Sequence, residues 1–267
     1  MSESLPSRHD AEEASIEAPD VATPSQPASA PVPANPLASR SIRSFVLREG
    51  RITPAQAQAL DALWPRYGLG SGDSRPGNAL PEIDAPALFG RVAPLAVEIG
   101  FGSGDHLAEC AASRRDTDFI GIEVHRPGVG RLLQRAQQLG LDNLRVACAD
   151  AVEVLRAALP AGSVDEVMIF FPDPWPKKRH HKRRLIQTDF ARLIARVLRP
   201  GGRLRLATDW AEYASHMREV LDPLAEFENL AGAQGYMQRP DDRPTTRFEA
   251  RGLRLGHAVF DLEYRRR

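Results

Sequence analysis

The 267-residue sequence has little or nothing of several features that define whole classes of protein. Its two cysteines, Cys110 and Cys148, lie in apolar stretches and form no CxxC pair, so neither a disulfide framework nor a metal site is expected. There is no run of about 18 apolar residues, so no transmembrane helix is predicted. The N-terminus has no basic segment followed by an apolar one, which argues against a secretory signal. We therefore expect a cytoplasmic protein with no bound metal and no membrane contact.

Net charge is also absent, because 35 basic residues balance 35 acidic ones, but the two signs are unevenly distributed. Residues 1–40 hold six acids and two arginines, and the rest of the chain is therefore net positive. This first segment is rich in Pro, Ala and Ser and contains no aromatic residue, so it cannot bury enough apolar surface to offset its ordering entropy. We predict a disordered tail over 1–40 and one folded domain over 41–267, in which 41–94 form an N-terminal extension.

The extension contains one clear helix signal. Thr53 followed by Pro54 is typical of a helix N-cap with proline in the first helical position, and predicts a short helix from Ala55 to Leu63. Residues 66–94 are rich in Gly and Pro, and predict a connecting region with one small apolar element.

From residue 95 to the end, apolar strand-like runs alternate with helical patterns. The runs cover residues 95–101, 118–124, 143–149, 164–171 and 202–208, and a late alternating run at 257–266 predicts an antiparallel strand. Nearly continuous apolar runs are typical of parallel strands buried on both faces, and their alternation with helices predicts a doubly wound α/β sheet. Two sets of apolar residues share a helical face. They are Ile186, Phe190, Leu193, Ile194 and Val197, and Trp210, Tyr213, Met217, Val220 and Leu221.

Acidic residues recur where the predicted strands end, and ligands of open α/β sheets bind beyond the carboxyl ends of the strands. A turn with glycines spaced G-x-G-x-G follows Glu98, and this spacing differs from the G-x-G-x-x-G of dinucleotide sites. At the next two strand ends, Glu123 is suited to a ribose diol and Asp150 to an adenine amino group. A glycine-rich turn alone can be purely structural, but together with these two acids it predicts a nucleoside site. Asp173 and Asp209 end the fourth and fifth strands.

The segment FPDPWPKKRHHKRR, residues 171–184, is the most specific signal. Two prolines, Pro172 and Pro174, restrict the backbone around Asp173. Taken alone, this short motif is also compatible with a simple turn at the end of a strand. Six Lys or Arg and two His then occupy eight positions without an acid. Such a run suits neutralisation of nucleic-acid phosphates better than a solvated face, and His180 and His181 are interpreted as part of that cationic surface. Residues 243–252, RPTTRFEARG, offer further cations and hydrogen-bonding groups before the last strand.

These motifs, in this order, resemble the bacterial tRNA (guanine-N7-)-methyltransferases, the TrmB family. The resemblance rests on VEIGFGSGDHL, FIGIEVH, FFPDPWPKKRHHKRRL, LATDW, TTRFEARG and the early IRSFVLREGRIT, and it covers residues 41–267 but not the tail. It implies the class I adenosylmethionine-dependent methyltransferase fold, which is Rossmann-like. It also implies methyl transfer from S-adenosylmethionine to N7 of guanine 46 in the tRNA variable loop. We expect a monomer, with a homodimer as the alternative.

The resemblance also implies roles for individual residues. Asp173 falls on the active-site acid. The adenosylmethionine-binding positions are Glu98, Gly100, Gly102, Glu123, Asp150 and Asp173. The substrate-binding positions are Lys177, Asp209, Thr246, Arg247, Phe248 and Glu249. The tRNA-contacting positions are Arg179, His180, His181, Lys182, Arg183 and Arg184. The chain departs from the common pattern at Pro176, His181 and Arg247, where many members have His, Asn and Lys, which affects only details of tRNA binding.

Guanine N7 carries an accessible lone pair and needs no deprotonation, so a site without an evident nucleophile is sufficient. Asp173 could stabilise the positive charge of the product or accept a hydrogen bond from the guanine amino group, and the sequence leaves both roles open. Three other functions share part of the pattern. They are methylation of an adenine exocyclic amine, a nicotinamide-dependent dehydrogenase, and a non-enzymatic RNA-binding module.

Overall fold

The computed structural model of the chain describes residues 45, 50–70, 80–232, 235–240, 243, 249 and 258–267. All of them belong to one unit, Ile42–Arg267. The predicted tail, residues 1–40, lies outside the described residues, as do the predicted substrate-binding residues Thr246, Arg247 and Phe248.

Helix α1, Pro54–Tyr67, begins at the predicted N-cap. The Thr53 hydroxyl accepts a hydrogen bond from the Gln56 amide, and the Gln56 side chain accepts one from the Thr53 amide at 2.9 Å. The helix does not end at Leu63 as predicted but continues through Pro65. Trp64 and Tyr67 are both buried in its last turn, and this apolar burial outweighs the amide donor that proline removes.

A short helix, α2 (Ala85–Phe89), supplies the small apolar element predicted between residues 66 and 94. The Asp84 carboxylate accepts a hydrogen bond from the Ala87 amide at 3.2 Å and so caps its first turn. Between the two helices, the amide of Leu69 donates to the carbonyl of Val146 at 2.8 Å, which ties the extension to the edge of the sheet.

Seven strands form a single sheet in the order β3-β2-β1-β4-β5-β7-β6. β1 to β5 are parallel, and β7 runs antiparallel to β5, which confirms the predicted mostly parallel sheet with a late antiparallel strand. The short β6 pairs with β7 and was not predicted, because three residues are too few to show an alternating pattern. The strands are β1 (Leu95–Ile99), β2 (Asp118–Ile122), β3 (Leu144–Ala147), β4 (Val164–Phe170), β5 (Leu198–Thr208), β6 (Phe227–Asn229) and β7 (Phe260–Arg266).

Helices cover both faces of this sheet, as the nearly continuous apolar runs predict. After α1 and α2 come α3 (Asp105–Ser113), α4 (Arg126–Gln138), α5 (Ala151–Glu153) with a following π-helical turn (Val154–Ala158), a 3-10 turn (Lys178–Arg183), α6 (Thr188–Val197) and α7 (Ala211–Leu221). Along β2, Ile120 and Ile122 belong to the core beneath α6 and α7, whereas Phe119 belongs to the core beneath α1, α3 and α4.

Two features at the carboxyl edge differ from the helical faces predicted from the sequence. Trp210 was placed on a buried face, but it precedes α7 as its N-cap residue and is 38% exposed. Ile186 precedes α6, although it is buried as expected. In the described part of the chain, no helix is long and apolar enough to cross a membrane.

Candidate active site

A cavity of about 240 Å³ opens at the carboxyl ends of β1 to β4, where α/β sheets bind their ligands. Five of the predicted site residues line it: the two glycines of the turn after β1, and the acids that follow β2, β3 and β4. The full lining is Phe45, Ile99, Gly100, Gly102, Ile122, Glu123, Val124, Ala149, Asp150, Ala151, Phe170, Phe171, Pro172, Asp173 and Leu185.

The glycine turn after β1 depends on left-handed backbone conformations. Gly100 and Gly102 have φ values of 73° and 59°, and a Cβ at either position would meet no atom within 4 Å. Only glycine adopts this conformation without steric cost. On the other side of the turn, Gly128 of α4 packs so closely that an added Cβ would lie 2.0 Å from the Gly102 carbonyl oxygen. The turn is therefore fixed by α4 while its cavity side stays open.

Three backbone amides hold Glu123, the cavity acid that follows β2. One carboxylate oxygen accepts a hydrogen bond from the Gly102 amide at 2.8 Å, and the other accepts from the amides of Val124 at 2.7 Å and His125 at 2.9 Å. Burial raises the pKa of Glu123 above its usual value, although the three amides oppose that shift. The side chain thus links the end of β2 to the glycine turn and is held in a single orientation.

Asp150 lies across the cavity, after β3. It is the N-cap residue of α5, and its carboxylate accepts a hydrogen bond from the Val152 amide at 2.9 Å. Because that bond orients the carboxylate, Asp150 and Glu123 both present fixed acceptors around walls formed by Ile122, Ala149 and Ala151. An apolar slot with a few oriented polar groups is the usual character of a small-molecule site.

Glu98 stands apart from the other predicted cofactor-binding acids. It lies within β1, is only 3% exposed and is not among the residues that line the cavity. Its carboxylate lies 2.8 Å from Nδ1 of His106, whose other ring nitrogen lies 3.5 Å from the Cys110 sulfur. Burial by itself would lower the pKa of His106, but Glu98 and Cys110 raise it to about 10. Sequence reasoning missed His106, because a histidine eight residues from an acid carries no recognisable pattern.

The loop after β4 holds Asp173 in a strained backbone. Phe171 and Trp175, on either side of it, have positive φ values of 52° and 45°, which cost about 1–2 kcal/mol for each non-glycine residue. The amide of Phe171 donates to the carbonyl of Ala207 at 2.7 Å and so extends the β4–β5 pairing into this loop. Asp173 is exposed and lines the cavity. Strain of this kind is concentrated at functional sites.

The basic segment, residues 177–184, follows this loop directly and includes the 3-10 turn. Its lysines and Arg179 are exposed, and Arg183 places its guanidinium 4.2 Å above the Trp175 ring. Desolvation and the surrounding positive charges, Arg179 foremost, lower the pKa of His180. A positively charged surface therefore begins four residues after the cavity acid Asp173.

Arg184 departs from the rest of the basic segment. Its side chain is only 1% exposed, and its Nε donates to the Pro174 carbonyl at 2.9 Å. A buried guanidinium in this position cannot reach a phosphate outside the protein, so the structure does not support the predicted tRNA contact for Arg184.

The substrate-binding positions predicted near the C-terminus are only partly described. Glu249 is 1% exposed, and both of its oxygens accept hydrogen bonds from Arg243, at 2.7 and 3.0 Å. Arg239 bonds to the same carboxylate at 2.8 Å, and Arg243 also pairs with Asp261 of β7 at 2.9 Å. Burial would raise the pKa of Glu249, but these arginines outweigh it and lower that pKa. Glu249 is therefore a buried anchor rather than an accessible ligand in this structure.

Comparison with known proteins identifies the family. A family model described as a putative methyltransferase matches residues 92–262. A tRNA (guanine-N(7)-)-methyltransferase of Alcanivorax borkumensis is 54% identical over 228 residues, covering 85% of this chain and 92% of that protein. The enzyme of the same name from Cronobacter sakazakii is 52% identical over 227 residues, with the same coverage of both chains. This chain belongs to the tRNA (guanine-N7-)-methyltransferase family.

Solved structures agree on the fold of this family member. The crystal structure of the 16S rRNA methyltransferase KamB aligns with a TM-score of 0.51, covering 72% of this chain and 98% of that one at 17% identity. The class I methyltransferase fold expected from the sequence is thus confirmed. Membership in a methyltransferase family also removes the dehydrogenase alternative. Among the described residues, there is no cluster of three or more His, Cys, Asp or Glu side chains that could hold a metal ion.

Proposed function

We propose that this protein transfers a methyl group from S-adenosylmethionine to N7 of guanine at position 46 of the tRNA variable loop. The observation that supports the proposal most strongly is the position of Asp173, which lines the cavity and lies four residues before the start of the basic segment. A methyl donor and an RNA base must meet at one point, and Asp173 lies where the two surfaces join. The names of the relatives supply the substrate class.

The donor side of the site rests on the cavity acids. Glu123 would accept the ribose hydroxyls and Asp150 the adenine amino group, while the open side of the glycine turn admits the rest of the molecule. The chemistry supplied by bound S-adenosylmethionine is a sulfonium-activated methyl group, which N7 takes by forming a C–N bond as the C–S bond breaks. No proton leaves guanine, so no general base is required, and the site would act mainly by placement.

The RNA side of the site rests on the exposed cations of residues 177–183, which would neutralise phosphates. Trp210 is exposed directly after Asp209, at the carboxyl end of β5, and offers an aromatic face on which a base can stack. We infer that the substrate is a cytoplasmic RNA, and two buried cysteines that form no disulfide suit that reducing compartment.

Substitution of Asp173 tests the proposal and separates its two candidate roles. Asp173→Ala should largely abolish methyl transfer while leaving tRNA binding nearly intact. Asp173→Asn keeps a hydrogen-bond acceptor but removes the charge. A rate near that of wild type for Asp173→Asn would assign hydrogen bonding to the guanine amino edge, whereas a rate as low as that of Asp173→Ala would assign charge stabilisation. Equal transfer by Asp173→Ala and wild type would refute a catalytic role.

The salt dependence of tRNA binding tests the basic segment. Replacing Arg179, Lys182 and Arg183 by Gln should weaken binding and reduce the slope of log K against log salt concentration by roughly 0.7–0.9 per lost phosphate contact. Arg192→Gln, which removes one exposed cation of α6 outside the basic segment, is the control and should leave the slope unchanged. An unchanged slope in the triple variant would count against this surface.

A further inference from the structure

We propose that Arg184 is a positioning residue for methyl transfer, which holds the Asp173 loop in place from inside the protein rather than contacting tRNA. The inference rests on the proposed function, since it concerns the loop that presents Asp173. It reverses the role that the sequence suggests for this arginine.

Arg184 bonds to the loop at Pro174, the residue that follows Asp173. Its Nε donates to the carbonyl oxygen of Pro174 at 2.9 Å, and the guanidinium carbon lies 5.0 Å from the centre of the Tyr213 ring. The Nη2 atom lies 3.4 Å from the Glu212 carboxylate of α7. One planar group therefore connects the loop to a helix that packs against the sheet, and the side chain is 1% exposed while it does so.

The chain on the far side of Arg184 is fixed as well. Two residues after Arg184, the side chain of Ile186 is buried, and its amide donates to the Tyr213 hydroxyl at 3.2 Å. His181, within the 3-10 turn, places its Nε2 3.2 Å from the Arg184 Nη2. Tyr213, His181 and the loop thus meet around a single cation, which links the RNA-facing turn to the Asp173 loop.

The loop needs such support because its backbone is strained. Phe171 and Trp175 both have positive φ values, and a loop in this conformation persists only where its surroundings hold it there. Because the supported carbonyl belongs to Pro174, releasing it frees the backbone on the C-terminal side of Asp173. A displacement of about 1 Å at a reacting group can lower a rate on the order of a hundredfold.

The geometry also explains why this position requires arginine. Nε and Nη2 serve different partners at the same time, and only the planar guanidinium fork offers both donors in fixed directions. Lysine offers its three donors from one nitrogen, so it cannot place donors at both the Nε and the Nη2 positions of the guanidinium. Arg183, the adjacent residue, lies instead over Trp175 at the edge of the exposed segment.

The test is steady-state and single-turnover kinetics of Arg184→Lys and Arg184→Gln, with tRNA and donor affinities measured separately. We expect the rate at saturating tRNA to fall between tenfold and a hundredfold, while the Kd values for tRNA and for S-adenosylmethionine change less than about threefold. Arg184→Lys should recover only part of the rate. The control Arg192→Gln removes an exposed arginine of α6 and should match wild type in the steady-state rate, the single-turnover rate and both Kd values.

The alternatives give different patterns. A raised Kd for tRNA with the saturating rate retained would show that Arg184 contacts RNA, and unchanged kinetics would show that it is dispensable. Loss of donor affinity together with the rate would show a general structural role. If Arg184→Gln does not fold, Arg184→Lys alone decides between these outcomes. If the wild-type protein itself methylates no tRNA, the proposed function fails first, which separates the two claims.

Discussion

Gly128 offers the sharpest test of how the glycine turn is built. A Cβ at this position would lie 2.0 Å from the carbonyl oxygen of Gly102, whereas ordinary contacts begin at 3.4 Å. The variant Gly128→Ala therefore forces α4 and the turn apart by about 1.4 Å. The carbonyl oxygen that must move belongs to Gly102, and the amide of the same residue donates to Glu123 at 2.8 Å. We therefore expect the hydrogen bond between Gly102 and Glu123 to lengthen beyond the normal range.

The expected loss of donor affinity follows from the displaced carboxylate. That bond orients Glu123, and a ribose hydroxyl that no longer reaches the carboxylate loses a hydrogen bond to a charged group, about 1.5–3 kcal/mol, or roughly tenfold to hundredfold weaker binding of S-adenosylmethionine. Isothermal titration calorimetry with the purified variant measures this directly. Overpacking should also lower stability by about 1–3 kcal/mol, which a urea titration reports.

Gly140→Ala is the matched control, because Gly140 follows α4 but a Cβ there meets no atom within 4 Å. Its φ of 57° costs about 1–2 kcal/mol of stability, yet donor affinity should stay at the wild-type value. The reasoning is refuted if Gly128→Ala binds the donor as tightly as wild type, or if Gly140→Ala loses as much affinity.

Three further predictions concern buried charges. Because burial raises the pKa of Glu123, the carboxylate proposed to accept the ribose hydroxyls is lost as pH falls through that pKa; calorimetry at decreasing pH should show weakening donor affinity, whereas the affinity of Glu123→Gln should not change with this titration. Arg243→Gln removes the guanidinium that the buried carboxylates of Glu249 and Asp261 share, although Arg239 still pairs with Glu249; the fold should lose about 3–5 kcal/mol in a urea titration, and a loss under 1 kcal/mol would contradict the ionic cluster. The pKa of His106 is raised from 6.5 to about 10, so its contribution to the free energy of unfolding is complete below pH 6.5 and is lost as pH rises through 10. The difference in the free energy of unfolding between wild type and His106→Gln should therefore decrease over that range.

Most of the fold follows from periodicity in the sequence. Four of the five parallel strands lie within the predicted apolar runs, and β7 lies within the predicted alternating run. The start of β5 was wrong: the strand begins at Leu198, four residues before the predicted run, and continues through Pro200 and Gly201, which by local rules predict a turn. The end of α1 was wrong because Pro65 is a helix breaker by local rules, and only the tertiary burial of Trp64 and Tyr67 overrides it. β6 was missed because its pairing partner, β7, lies more than thirty residues further along the chain.

The candidate site divides in the same way. Acids that follow strands are predictable, because the carboxyl edge of a parallel sheet brings strand ends together, and Glu123, Asp150 and Asp173 all line the cavity. The direction in which a cation points is not encoded in local composition. Arg183 and Arg184 are neighbours in one basic run, yet only the second is buried, because Glu212 and Tyr213 of a later helix surround it.

Methyl transfer to guanine N7 of tRNA is tested most simply by incubating the protein with methyl-labelled S-adenosylmethionine and unmodified tRNA. Nucleoside analysis and mapping of the label then identify the methylated atom and its position. We expect wild type to form 7-methylguanosine at position 46 of the variable loop, and we expect Asp173→Ala to form none. Label in a methylated adenosine would place the methyl group on an exocyclic amine and contradict the proposed substrate atom. Label in 7-methylguanosine at another position would contradict the proposed site in the tRNA, and the absence of transfer to any tRNA would contradict the proposed function.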